Sequence, residues 1–216
     1  MSLARVFSEL EDMLCPYEEA MVDGMSKEGR DPFRILIATL LSLRTKDEVT
    51  GAASKRLFQK AKNPRELARM DESIISELIY PVGFYKTKAK TLKTVAQTLV
   101  AEYEGRVPDS MDELLALKGV GRKTANLVLS AGFGKDAICV DTHVHRISNR
   151  WGYVSTKDAK ETEHALRKKL PKKYWRRING LLVTFGQNIC KPISPFCSLC
   201  SLSSWWCKQL GVERRR

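Results

Sequence analysis

One lysine, one aspartate and four cysteines have the types and spacing that could do chemistry. The lysine is Lys123, in the run Leu117-Lys118-Gly119-Val120-Gly121-Arg122-Lys123-Thr124-Ala125. Two glycines around a valine read as a tight turn with positive φ angles. An apolar helical pattern (Met111, Leu114, Leu115) enters that turn, and another (Ala125, Leu127, Val128, Leu129) leaves it. A helix starting there turns unpaired backbone N–H groups outward, which favours an anion such as phosphate. An amine in its first turn is a usable nucleophile toward a carbonyl-like carbon once it has lost its proton. Taken alone, the motif reads as an ordinary turn beside a solvated charge.

Cys190, Cys197, Cys200 and Cys207 have the spacing C-x6-C-x2-C-x6-C, four cysteines within 18 residues. In a reduced compartment such a cluster is a metal site. Sulfur-only sites hold Zn²⁺ or an iron–sulfur cluster. Zinc sites more often present two C-x2-C pairs. One short pair with two distant outer cysteines suits the separated iron corners of a [4Fe–4S] cluster, which is the favoured reading. Its role reads as a clip on the C-terminal segment. Electron transfer is the sharper alternative, with no redox-partner motif to support it. Cys139 reads as core and Cys15 as a buried structural thiol. His145 and His164 have no partner cysteines and are not expected to be ligands.

The elements that position these groups follow from periodicity. Lys plus Arg exceeds Asp plus Glu, 37 against 25, for a net charge of +12. That excess suits a polyanion, nucleic acid before an anionic membrane. No apolar run is long enough to span a bilayer. The N-terminus reads as an amphipathic helix over residues 3–14, not as a signal or transit peptide, so a cytosolic location without disulfides is expected. Residues 22–30 read as a polar linker. Asp31-Pro32 starts a helix that is apolar on nearly every side from Phe33 to Leu43, and so belongs at the centre of a domain.

Asp47, Asn63, Asp71, Asp109, and Ser155 or Thr156, are expected helix N-caps. Tyr85, Ala89, Leu92, Ala96, Leu99 and Tyr103 line one face of a long helix. Lys86, Lys88, Lys90 and Lys93 decorate its start, where they meet either phosphate or water. The apolar tetrad Ala137-Ile138-Cys139-Val140 reads as a buried extended segment leading into a helix capped by Asp141. Residues 172–178 mix basic and aromatic side chains. No strand alternation appears, so the chain is expected to be all-α.

Together, LKGVGRKTA, VDTHVHR and the C-x6-C-x2-C-x6-C tail resemble the endonuclease III family of helix-hairpin-helix DNA glycosylases, from about residue 20 to 210. The resemblance implies a catalytic lysine at Lys123 and a catalytic aspartate at Asp141. It implies a phosphate-gripping hairpin at Gly119, Val120 and Gly121, with Arg122 beside it, and [4Fe–4S] ligands at Cys190, Cys197, Cys200 and Cys207. Arg44 falls where the family enters the gap left by a flipped nucleotide, and Phe84 where it places an apolar wedge. His143 and Arg146 follow Asp141 and are candidates for phosphate contact. Two helical domains are implied. A six-helix domain at 25–135 carries the hairpin motif at about 111–133. A cluster domain is assembled from 1–24 and 136–216.

The implied activity is that of a bifunctional DNA N-glycosylase with abasic-site lyase activity on oxidised pyrimidines. The implied setting is a monomer acting on duplex DNA in a prokaryotic cytoplasm, at the nucleoid. Uracil or an oxidised purine as target, and a non-catalytic DNA-binding module, are the alternatives. This chain departs from the family at Lys118, where Pro is usual, and at Arg44, where Gln is usual. Its last cysteine interval is x6 where the best-known bacterial members have x5. Lys191 is the one basic residue between Cys190 and Cys197, which weighs against phosphate contact by that loop. Arg44 bears on base preference more than on chemistry.

Overall fold

The structure is a computed structural model in which residues 2–17 and 29–216 are described. The expected linker at 22–30 lies outside the described residues apart from Gly29 and Arg30. Every regular element among the described residues is helical. The chain forms two compact units, Met1–Ala20 with Ile138–Arg216, and Met21–Ala137.

In the continuous unit, α2 (Pro32–Ser42) is the central helix, following α1 (Leu3–Leu14) of the other unit. Asp31 caps α2 by accepting from the N–H groups of Phe33 and Arg34 at 3.0 and 3.2 Å, with Pro32 in the first helical position. Phe33, Ile35, Leu36, Ile37, Leu40 and Leu41 are all buried, so a helix apolar on every side is satisfied by neighbours on every side. Around it come α3 (Asp47–Lys60), α4 (Pro64–Arg69), α5 (Glu72–Ile79), α6 (Tyr85–Glu102), α7 (Met111–Ala116) and α8 (Arg122–Leu127). The expected stripe of α6 is buried at Ala89, Leu92, Ala96 and Leu99, joined by Val95.

Two caps in this unit differ from expectation. Asp47 is the first residue of α3, where its carboxylate and that of Glu48 meet the positive end of the helix dipole; Lys46 holds the cap position. Ser110, not Asp109, caps α7. Its hydroxyl accepts from Glu113 N–H at 3.4 Å and donates to the Glu113 carboxylate at 2.5 Å. Asp109 instead pairs with Lys135 at 2.6 Å. Asp71 sits at the cap of α5 without a side-chain cap bond, whereas Asn63 caps α4 through Glu66 N–H at 3.0 Å.

The discontinuous unit pairs α1 with α9 (Thr142–Arg150), α10 (Ala159–Lys169), α11 (Ile178–Asn188) and short 3₁₀ turns. α1 buries Val6, Phe7, Leu10 and Leu14. Cys15 is exposed, contrary to expectation. It lies one residue past the last member of that stripe, about 100° further round the helix. Within 172–178 the aromatics Tyr174 and Trp175 are buried and the cations stay outside; Phe7 stacks on Tyr174 at 4.0 Å. The helix expected from Ser155 or Thr156 starts later, because Asp158 caps it through Glu161 N–H at 2.8 Å. The Thr156 N–H is already donated to Asn149 at 2.8 Å. Glu9 of α1 accepts from Ser201 Oγ at 2.5 Å and Trp205 Nε1 at 3.2 Å, which ties α1 to the cysteine segment. The Ser201 bond leads in holding the Glu9 carboxyl below its ordinary range.

Candidate functional site

The hairpin forms as the sequence suggests, with one difference. α7 ends at Ala116 with Leu117 as its C-cap, Val120 N–H closes the turn on Leu117 O at 3.1 Å, and Ala125 N–H starts α8 on Gly121 O at 2.9 Å. Only Gly119 has a positive φ, at 77°; Gly121 has φ −96°, which any residue can adopt. A Cβ at Gly119 would also stand 2.9 Å from Thr91 Cγ2, whereas at Gly121 it would meet nothing within 4 Å. Gly119 is thus demanded by the turn, and Gly121 leaves its outer backbone face open to a ligand. Val120 is buried and anchors the turn, while Lys118, Gly119, Gly121 and Lys123 are exposed. α8 passes into a π-type turn at Val128–Gly132. A Cβ at Gly132 would lie 3.1 Å from Pro32 Cα, so close packing on the start of α2 accompanies the widened turn.

Arg44 and Phe84 share one feature that their sequence positions do not reveal. Both are non-glycine residues in the left-handed region, at φ 55° and 58°. Such backbone costs about 1–2 kcal/mol per residue, so the surrounding contacts must impose it. Phe84 is 63% exposed, a large apolar ring held in water at the start of α6, and the Arg44 guanidinium lies 5.9 Å from its centroid. Of the four lysines expected on the surface of α6, Lys88 turns inward. It donates to Leu41 O at 2.6 Å, Leu43 O at 2.6 Å and Thr45 Oγ1 at 3.1 Å. Burial lowers its pKa to about 8. Lys86 and Lys90 stay exposed and Lys93 is half-buried.

Asp141 caps α9, and its Oδ1 accepts from the N–H groups of both His143 and Val144 at 2.9 Å. Its residue is only 9% exposed, following the buried run Ala137 to Val140. Cys139 is core, as expected, and its carbonyl accepts from Asn179 at 3.3 Å. His143 fits because residue 186 is glycine: a Cβ there would lie 2.3 Å from His143 Nδ1. Arg146 donates to Cys190 O at 2.9 Å and approaches His143 Nδ1 at 3.2 Å. Any phosphate contact by Arg146 therefore shares its guanidinium with that carbonyl. Burial first, and Arg150 after it, lower the Arg146 pKa, against the pull of Cys190 and Asp141. His145 lies in a network with Thr162, at 2.7 Å, and Asn149; His164 is exposed.

The four C-terminal cysteines line a single pocket whose other walls include Trp151, Phe185, Ile189, Pro195 and Phe196. Cys190 is buried and the other three are half-buried. Burial and mutual repulsion raise the thiols of Cys197 and Cys207, and push Cys200 up to about 12. Donors nevertheless aim at the sulfurs. Gln209 N–H lies 3.3 Å from Cys207 Sγ, and Arg150 Nη1 lies 3.3 Å from Cys190 Sγ. Thiolates crowded in this way need a positively charged group among them, so the donor set fits a metal cofactor. Among the described residues no three His, Cys, Asp or Glu side chains form a group that could hold one metal ion.

Arg150 was not singled out by sequence reasoning. It is only 5% exposed, and besides Cys190 Sγ it donates to Lys191 O at 2.9 Å and Pro192 O at 3.0 Å. The one signal was its place a turn beyond Arg146 on α9. Arg150→Met should cost about 3 kcal/mol, because two half-buried carbonyls and a sulfur lose a charged donor. Denaturant unfolding of the two proteins, compared at equal slope, checks this.

Paired helices joined by such a hairpin, on a chain of net charge +12, define a helix-hairpin-helix nucleic-acid-binding protein. Residues 37–172 match the family described as HhH-GPD superfamily base excision DNA repair protein, and the chain belongs to that family. It is a base-excision DNA glycosylase. Endonuclease III of Thermotoga maritima is 53% identical over 174 residues, covering 81% of this chain and 82% of that protein. Endonuclease III homolog 2, chloroplastic, of Arabidopsis thaliana is 47% identical over 207 residues, 87% of this chain. The chain spans about half, 53%, of that longer relative. A solved trapped endonuclease III–DNA covalent intermediate superposes with a TM-score of 0.79 at 33% identity, covering 97% of each chain. Among the described residues no helix is long and apolar enough to cross a membrane.

Proposed function

We propose that this glycosylase is bifunctional, cutting duplex DNA at oxidised pyrimidines and abasic sites through a Schiff base on Lys123. The observation that carries the reading is a primary amine exposed in the first turn of α8, directly after the hairpin. Covalent capture of DNA by the structural relative supports it.

Chemistry on a stacked base requires taking that base out of the duplex. Gly119, Val120, Gly121 and Arg122 would hold the backbone phosphates, with His143 assisting. Phe84 would wedge the opposite strand and Arg44 would fill the gap. Unstacking costs a few kcal/mol, least for a damaged base, which gives part of the selectivity. The Lys123 amine attacks the sugar C1′, the bond from C1′ to the base breaks, and the base leaves. Asp141 stabilises the positive charge that develops on the sugar and helps take the proton from the lysine. The C1′–O4′ bond of the resulting aminal then breaks, O4′ taking up a proton as the sugar ring opens to an iminium on the Lys123 nitrogen. The iminium loses a C2′ proton, and β-elimination breaks the C3′–O bond, the 3′ phosphate leaving. Water then releases the lysine.

Cys190, Cys197, Cys200 and Cys207 would hold a [4Fe–4S] cluster. A cubane places each thiolate on its own iron, so it does not need the four sulfurs to converge on a single ion. When bound, the cluster would clip the C-terminal segment, and Arg150 and the Gln209 N–H, which donate to Cys190 Sγ and Cys207 Sγ, would help hold those two ligands. A monomer in the cytoplasm is part of the same reading.

The test is borohydride trapping against duplexes that each carry one lesion: an oxidised pyrimidine, uracil, an oxidised purine or an abasic site. Wild type should trap on the oxidised pyrimidine and the abasic site, and Lys123→Gln on none. Trapping on uracil or the oxidised purine alone would replace the substrate. No trapping at all would overturn the Schiff base on Lys123 and leave a glycosylase without lyase activity.

A further inference from the structure

The segments carrying Arg44 and Phe84 are joined through Lys88. Its ammonium bonds the carbonyls of Leu41 and Leu43 and the hydroxyl of Thr45, so it grips the chain on both sides of Arg44. Its backbone N–H donates to Phe84 O at 2.9 Å, closing the first turn of α6 on the wedge residue itself. A second connection runs alongside. Gly83 N–H donates to Thr45 Oγ1 at 3.2 Å, and a Cβ on Gly83 would lie 2.9 Å from Arg44 O. The two backbones touch at the one residue without a side chain.

We propose that Lys88 is a positioning residue for DNA engagement, locking residues 41–45 to residues 83–84 so that Arg44 and Phe84 meet the duplex as one preset pair. The inference rests on the reading that Arg44 and Phe84 enter the DNA. Three features require an explanation together. An ammonium is withdrawn from water to bind main-chain carbonyls, which costs solvation that a surface lysine keeps. Two adjacent side chains hold left-handed backbone without being glycine. A large apolar ring stays exposed beside a cation. A lysine whose three donors are all spent on the loop that bears Arg44 accounts for the first and supplies the force that maintains the second. A preset pair forfeits less conformational freedom on binding than two mobile side chains do.

The experiment is a double-mutant cycle on a duplex carrying one abasic site, read as kcat/KM for strand scission. Lys88→Met is made in the wild-type chain and in an Arg44→Ala, Phe84→Ala chain. In the wild-type chain it should lower kcat/KM about tenfold to a hundredfold, the scale of an ångström-level misplacement. In the doubly substituted chain it should change kcat/KM less than about twofold, because there is nothing left to position. Equal losses in both chains, or no loss in either, would overturn the inference. If Arg44→Ala, Phe84→Ala alone keeps full activity, the insertion reading beneath it fails instead, and the inference falls with it. Should Lys88→Met not fold, Thr45→Val, which removes the hydroxyl shared by Lys88 and Gly83, takes its place in the same cycle with the same two expectations.

Discussion

Lys123→Gln should bind damaged duplex DNA nearly as well as wild type and cut none of it. Scission should fall roughly ten-thousandfold or more, because glutamine has no amine to form the Schiff base. The side chain is exposed, so stability should move by no more than about 0.5 kcal/mol. Affinity should change only by the loss of one cation, visible as a salt-dependence slope smaller by about one. Rates under single-turnover conditions, with binding measured at several salt concentrations, separate the two effects. A variant that still cut DNA would show that the nucleophile lies elsewhere.

Asp141 carries the second large expectation, and it comes in two parts because this residue has two jobs. As an N-cap it accepts from His143 and Val144 N–H through one oxygen. Asparagine caps a helix as well as aspartate does, so Asp141→Asn should leave the unfolding free energy nearly unchanged. The charge is lost, however, and with it the stabilisation of the cationic sugar. Scission should fall about a hundredfold to a thousandfold. Asp141→Ala should show the same kinetic loss and in addition cost about 1 kcal/mol of stability. If Asp141→Asn keeps full activity, the residue is a cap and nothing more.

Much of this architecture was legible in the sequence where the signal is local. The α2 helix announced itself by being apolar all round, and Asp31, Asn63 and Asp141 by standing just before an apolar period. The hairpin was legible from its glycines, although only Gly119 needs the conformation that both suggested. Two expected caps yield to a capping residue close by, Asp109 to Ser110 and Thr156 to Asp158. Local propensity does not say which oxygen wins when a neighbour such as Lys135 or Asn149 takes the other.

What the sequence hid depends on partners far along the chain. Lys88 looks like Lys86 and Lys90 until the carbonyls of Leu41 and Leu43 are seen beside it, more than 40 residues away. Arg150 reads as a surface cation on a helix, yet it bonds the main chain on either side of Pro192, about 40 residues on. Cys15 erred the other way. An isolated cysteine suggests a core thiol, but its place just past the buried stripe of α1 decides its exposure.

Peptide mapping of the borohydride-reduced complex tests the central claim most directly. Wild-type protein is trapped on a duplex with a single abasic site, digested, and the modified residue located by mass spectrometry. The sugar remnant should sit on Lys123 and on no other amine. A remnant on the N-terminal amine or on another lysine would contradict the assignment.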